Sequence, residues 1–383
     1  MAPDEPMAPA ALRCLDGSTI STAEEWLARR RPELLELFAE YVYGHTPDLS
    51  LEAVARTHRE DIVLGGRAVR REVDVVITGP AGERTVQLLL YLPTGAKCAV
   101  PVFVGLNFSG NHTVDPDPRI RPARAEQYPP GGQPTVDPAT AGGRGSLAHR
   151  WPIDMIIDSG FGAATAFCGD VEPDHPEGAA HGVRGLLADF SQHRSGSDWG
   201  TLGVWAWALS RLLEVLSDQP GVDPDRILAV GHSRLGKAAL WAAAQDERFA
   251  LVVSNESGCG GASPSRRPFG ESVHDITSRF PHWFCPRFAE FAGREDDLPV
   301  DQHLLLAAIA PRLVYVASAR EDLWSDPEGE RLSALAAAPV FDLFGADRPA
   351  GEPAIGYHLR EGEHDILPED WQHYLRFAAD RLG

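Results

Sequence analysis

The sequence predicts an α/β fold in three layers, a mostly parallel, doubly wound central sheet with helices on both faces. Two observations carry this. Short apolar runs that suit strands alternate with longer amphipathic runs that suit helices from residue 151 to the end. In one place an apolar run, 227–230, turns through a glycine-flanked serine directly into a helical run at 237–244.

The elements follow in order. Thr22 caps a helix, with Glu25 three residues on, and the run to Tyr43 offers Trp26, Leu34, Leu37, Phe38 and Tyr41 for one face. Gly44 ends it and Pro47 keeps the chain from resuming it. Residues 70–78 and 85–92 alternate on either side of Gly79-Pro80-Ala81-Gly82 and read as an antiparallel pair. The continuous apolar run 100–106 suits a strand buried on both faces. Residues 109–148 are rich in Gly, Pro, Asp and Arg without a period, so a functional loop or inserted decoration is expected there. A helix at 151–159, a strand at 162–168, a helix at 200–216 and a strand at 226–230 come next. Strands at 251–255 and 312–317 and a helix at 368–382 complete the pattern. No internal repeat or domain break stands out. Residues 1–383 are therefore expected to form a single domain, with an N-terminal helical segment over about 20–44 and a loop-rich insertion over about 109–148.

Composition removes several classes of function. With 383 residues, 43% of them apolar, the chain can bury a large core without disulfide or metal staples. Acidic residues outnumber basic ones by 55 to 35, a net charge of -20, which argues against a sequence-independent hold on nucleic acid. No stretch of 18 apolar residues exists, so no transmembrane helix is expected. The opening stretch has neither a basic nor a continuous apolar region, which predicts no signal peptide in this chain. The five cysteines are scattered and lack a CxxC pair, so neither a disulfide framework nor a zinc site is predicted. Lys97 and Lys237 are the only lysines, which makes a lysine inside a motif worth watching.

The sharpest local feature is Gly231-His232-Ser233-Arg234-Leu235-Gly236, a GxSxG-like turn whose second glycine falls one position late. Its strand–turn–helix setting suits a nucleophile elbow, with the serine hydroxyl exposed and a helix N-terminus facing the developing oxyanion. A hydroxyl nucleophile needs a base, and the base an orienting acid. Of the C-terminal histidines, His373 lies on an amphipathic helix and His358 suits either role. His364, in a loop just before the last helix, is favoured as the base. Glu256 and Asp322 each follow a predicted strand and compete as the acid. Spacing does not choose between them.

Together these landmarks resemble the glucuronoyl esterases, carbohydrate esterase family 15, in their bacterial branch. The specific segments are Gly231 to Lys237, Ser254-Asn255-Glu256-Ser257-Gly258, Gly270-Glu271-Ser272 and Glu321-Asp322-Leu323-Trp324. The resemblance spans nearly the whole chain. It implies an α/β-hydrolase fold and a serine-type esterase that cleaves esters between (4-O-methyl-)glucuronic acid of xylan and lignin alcohols. No metal or organic cofactor is implied. Ser233 then resembles the nucleophile, Glu256 the orienting acid, His364 the base and Arg234 the oxyanion-hole arginine. Asp322 matches an additional or alternative acid. Lys237, Glu271 and Trp324 match positions that hold the glucuronate sugar. The implied partners are glucuronoxylan or lignin–carbohydrate ester fragments, with no nucleic acid, membrane or obligate protein partner. The family implies a secreted or periplasmic location, the alternative being cytoplasmic. Fungal members carry cysteine where His232 stands, so their disulfide at this site is not expected here.

The residues agree with that assignment on their own chemistry. Lys237 lies one helical turn beyond Ser233 and can overhang the same pocket. Glu271 can accept hydrogen bonds from sugar hydroxyls, and Trp324 can stack on a sugar face. The alternatives are an acetylxylan or other small-acyl carbohydrate esterase and, in another class, a catalytically silent carbohydrate-binding protein.

Overall fold

The computed structural model describes residues 9–47, 51–123, 143–187, 195–345 and 355–382. Of the expected loop-rich insertion, 124–142 lie outside the described residues. The chain packs as two compact units, each described by itself.

The first unit holds Pro47–His193, Val204–Val230 and Ile366–Gly383. Its strands β1 (Glu52–Val63), β2 (Ala68–Gly79) and β3 (Gly82–Pro93) form a continuous antiparallel meander. Strand β4 (Val100–Asn107) runs parallel to β5 (Gly162–Phe167) and to β6 (Val222–His232), while β3 pairs antiparallel with β5. The order is β1-β2-β3-β5-β4-β6. The expected α/β sandwich is borne out, with a sheet that is parallel beyond β3 and antiparallel before it. Strand β1 is not evident in the sequence, because its run of charged residues has no apolar face and it lies at the sheet edge, largely exposed. By contrast Val102, Phe103 and Val104 of β4 are all buried, as the uninterrupted apolar run requires. The terminal helix Pro368–Leu382 buries Trp371, Tyr374, Leu375 and Ala378, spaced as one helical face. Trp371 meets Phe103 edge-on at 5.3 Å, and its Nε1–H donates to the Arg150 carbonyl.

The second unit holds Met1–Thr46, Arg194–Gly203 and Gly231–Asp365. Thr22 caps the N-terminal helical run, its hydroxyl accepting from Glu25 N–H at 3.1 Å while the Glu25 carboxylate accepts from Ser21 N–H. The run continues to Tyr43 through widened turns at Trp26–Arg30 and Ala39–Tyr43. These turns rotate the buried face, so Tyr43 is buried and Tyr41 only half-buried. Tyr43 stacks on Trp241 of the helix Arg234–Gln245 at 4.7 Å, and its hydroxyl donates to the Gly260 carbonyl. Strands β7 (Phe249–Asn255), β8 (Leu313–Ala319) and β9 (Gly356–Arg360) are parallel and in register, Asn255 opposite Ala317 and Ala319 opposite Arg360. All eight residues singled out above as catalytic or substrate-binding fall in this unit.

Candidate active site

The elbow is built as its sequence requires. Ser233 sits between His232, the last residue of β6, and Arg234, the first of the following helix, with φ +57° and ψ -129°. A side chain on Gly231 would collide with the Leu235 carbonyl, so the strand can reach the helix only through glycine there. At Gly236 an added Cβ would come within 3.0 Å of the Gly231 carbonyl oxygen. The helix therefore crosses the strand at positions 235 and 236 together, which accounts for the late second glycine. The Ser233 N–H donates to the Asn255 carbonyl at 2.9 Å, fixing the elbow to β7.

Backbone pairing beyond the strand ends then gathers the other groups. Glu256 N–H donates to the Ala317 carbonyl at 2.7 Å, which extends β7 along β8. Arg320 and Glu321 N–H groups donate to the Arg360 and Gly362 carbonyls, which extends β8 along the chain after β9. Glu256, Asp322 and His364 converge as a result. His364 Nδ1 donates to Asp322 Oδ2 at 2.6 Å and lies 3.1 Å from Glu256 Oε2. His358 stands apart, inside β9, with Nδ1 at 3.1 Å from the Tyr315 hydroxyl. His373 lies on the terminal helix of the first unit.

The electrostatics follow from these contacts. Burial acts to discharge His364, but the hydrogen bonds and charges of Asp322 and Glu256 outweigh it and raise the imidazole above its ordinary value. Burial raises Glu256, against the opposing pull of His364 and Arg360. For Asp322 burial is also the largest influence, yet His364 and Ser325 together hold the carboxyl below its ordinary value.

Lys237 is buried, and its ammonium donates to the Ser257 carbonyl and, at 2.6 Å, to the Cys259 carbonyl. It braces the glycine-rich turn after Glu256, and burial lowers its pKa. Glu271 lies close by, its backbone N–H donating to the Trp324 carbonyl at 2.9 Å and its carboxylate 3.8 Å from Arg279. Trp324 is 47% exposed, so it is a surface aromatic and not a core one. The Arg234 guanidinium lies 4.8 Å from the centroid of the Trp283 ring, which stacks flat on Phe280.

Two buried ionisable groups of the site do not stand out in the sequence. Arg360 Nη2 donates to Glu256 Oε1 at 2.6 Å and to the carbonyls of Glu363 and Asp365, tying the acid to the histidine loop. Its only signal is a place four residues before His364. Glu330, from the helix Pro327–Asp342, accepts from Gly258 N–H and from the Ser318 hydroxyl, and burial pushes its pKa up to about 8. No local pattern marks it, since one partner, Gly258, lies 72 residues away and the other is a serine of the neighbouring strand.

One set of possible metal ligands, His232, Glu256 and His364, falls within 4.8 Å among the described residues. Arg360 and Asp365 N–H already occupy the Glu256 carboxylate, Asn255 takes His232 Nδ1 and Asp322 takes His364 Nδ1. A guanidinium on the only carboxylate of the set disfavours a cation. A hydroxyl on a strained elbow, an imidazole on two carboxylates and a helix N-terminus at the same turn together suit acyl transfer.

Comparison with known proteins agrees. The family model for fungal glucuronyl esterases matches residues 177–345. The carbohydrate esterase MZ0003, from an unknown prokaryotic organism, is 41% identical over 388 residues, covering 98% of this chain and 89% of that protein. The 4-O-methyl-glucuronoyl methylesterase of Podospora anserina is 35% identical over 189 residues, 47% of this chain and 39% of its own length. The glucuronoyl esterase structure from Solibacter usitatus superposes with a TM-score of 0.89 at 38% identity over 98% of both chains. A structure described as a promiscuous CE15 esterase from a marine bacterial metagenome gives 0.87 at 40% identity, covering 98% of this chain and 97% of that one. With its elbow, its paired acids and these full-length likenesses, the chain belongs to carbohydrate esterase family 15, the glucuronoyl esterases.

Proposed function

We propose that the protein is a serine esterase that cleaves glucuronoyl esters between (4-O-methyl-)glucuronic acid of xylan and lignin alcohols, through an acyl-enzyme on Ser233. The observation that carries this is His364 held by two carboxylates, with its ring 4.5 Å from that of His232 in the Ser233 elbow, in a chain alike over its length to family 15 enzymes. His364 takes the Ser233 proton as the hydroxyl attacks the ester carbonyl, and Asp322 and Glu256 stabilise the imidazolium. The oxyanion forms at the N-terminus of the helix Arg234–Gln245, where the Arg234 guanidinium adds positive charge. His364 then protonates the departing alcohol, and water, activated by the same imidazole, releases the uronate. Trp324 and Glu271 form the sugar side of the site, while Lys237 holds the turn beneath it.

Side-by-side kinetics on benzyl glucuronate ester and 4-nitrophenyl acetate test the reading. A strong preference for the first supports a uronate on the acyl side. A strong preference for the acetate overturns it in favour of a small-acyl esterase, a scope that a relative described as promiscuous makes worth measuring.

A further inference from the structure

We propose that His232 is a positioning residue for the base, its ring fixing the plane of the His364 imidazole while the two carboxylates fix its edge. This rests on the Ser233–His364 reading above. His232 is buried, and its ring centroid lies 4.5 Å from that of His364, the planes inclined by 38°. Its Nδ1–H donates to Asn255 Oδ1 at 2.6 Å, so the ring is anchored to the end of the neighbouring strand. The carbonyl of the same Asn255 accepts from Ser233 N–H, and the next residue is Glu256. One side chain thus joins the end of β6 that carries the nucleophile, the end of β7 that carries an acid, and the base itself.

His364 needs such a partner. It sits on a loop with its side chain 40% exposed, and both carboxylates reach it through Nδ1 alone. A bond at one ring nitrogen leaves the ring free to tilt about that point and swing Nε2 off the line to the Ser233 hydroxyl. A flat ring with its centroid 4.5 Å away, inclined by 38°, restricts that tilt. A misplacement on the order of 1 Å at a reacting atom costs about 10²-fold in rate. Histidine at 232 supplies both the face and, through Asn255, the anchor.

The test separates face from anchor. Purified His232→Ala, His232→Phe and His232→Gln are compared for kcat and KM on benzyl glucuronate ester and 4-nitrophenyl acetate, with thermal melting in parallel. Low-field proton NMR of the His364 Nδ1–H reports on ring mobility without substrate. Alanine is expected to lower kcat about 10–100-fold on both esters, with KM changed by less than about twofold. Phenylalanine keeps the face and is expected to restore most of kcat and a sharp Nδ1–H resonance. Glutamine keeps a polar partner for Asn255 and is expected to restore the melting temperature but not kcat. Phenylalanine and glutamine carry the comparison if the alanine variant does not fold. A wild-type kcat in folded His232→Ala, or rescue by glutamine and not phenylalanine, overturns the assignment. Ser233→Ala and His364→Ala are run alongside. Turnover retained in those two rejects the triad reading itself, whereas their inactivity with wild-type rates in all His232 variants rejects only the role of His232.

Discussion

Strands β7 and β8 run side by side, and each sends one carboxylate from its C-terminal end to the same imidazole nitrogen. The two ends are built differently. Glu256 is 1% exposed and takes a left-handed φ of +47°, with one oxygen on Arg360 and the other between Asp365 N–H and His364. Asp322 sits in the turn after β8, where Ser325 serves its carboxylate with the backbone N–H, at 3.3 Å, and with the hydroxyl. Its contact with His364 is the shorter, 2.6 Å against 3.1 Å. Glu256 divides its charge among a guanidinium, an amide and an imidazole, whereas Asp322 gives most of its charge to the imidazole. The ends of two adjacent strands therefore suit different tasks, Glu256 for holding the histidine loop and Asp322 for steadying the imidazolium.

The largest effect should come from removing what both ends serve. His364→Ala is expected to cut kcat by about 10⁴–10⁶, measured on a single uronate ester. Asp322→Asn combined with Glu256→Gln should approach that floor, with a loss of about 10⁴. The single variants then divide by readout. Glu256→Gln leaves Arg360 as a buried, uncompensated charge and should cost about 3–5 kcal/mol of stability, read from denaturant unfolding. Asp322→Asn should cost little stability and about 10²-fold in kcat. Equal stability losses with equal rate losses in the two variants would erase the distinction between the strand ends.

Titration sharpens the comparison further. Attack requires a neutral imidazole, and the two carboxylates hold His364 above the ordinary value of about 6.5. Activity should therefore fall as pH drops through that raised value. Removing one negative charge lowers it, so the acidic limb of kcat/KM should move to lower pH in Asp322→Asn and less far in Glu256→Gln. A limb that stays in place in both variants would mean that the carboxylates do not govern the base. The smallest effect is expected two residues past Asp322. Trp324→Ala should weaken kcat/KM about 10-fold on the uronate ester, leaving 4-nitrophenyl acetate and the pH limb unchanged.

Much of this was legible because local rules and tertiary structure agree. The elbow announces itself through an apolar strand, two glycines and a helix, and the crossing of that helix over Gly231 explains the irregular spacing. Spacing does not resolve the competition between Glu256 and Asp322, since one acid comes directly after β7 and the other from the turn beyond the neighbouring β8, and both reach the same imidazole. Family likeness ranks Glu256 first, whereas the bond lengths favour Asp322. Strand β1 leaves no signature in the sequence because an edge strand with two wet faces needs no apolar alternation. Arg360 and Glu330 leave no mark because a buried ionisable group is recognised by its partners, which lie 104 residues away for the Arg360–Glu256 pair and 72 for Glu330 and Gly258. The ring contact of His232 with His364 likewise joins distant parts of the chain.

The brace formed by Lys237 has a practical side. The chain has two lysines, and Lys237 is enclosed with its ammonium against two carbonyls, whereas Lys97 is exposed in the connection between β3 and β4. An amine-directed reagent, whether a fluorophore, a polymer or an activated bead, therefore meets one accessible lysine side chain in this sequence. Grafting through Lys97 should give a nearly uniform conjugate, and Lys97→Arg should abolish labelling at an exposed lysine.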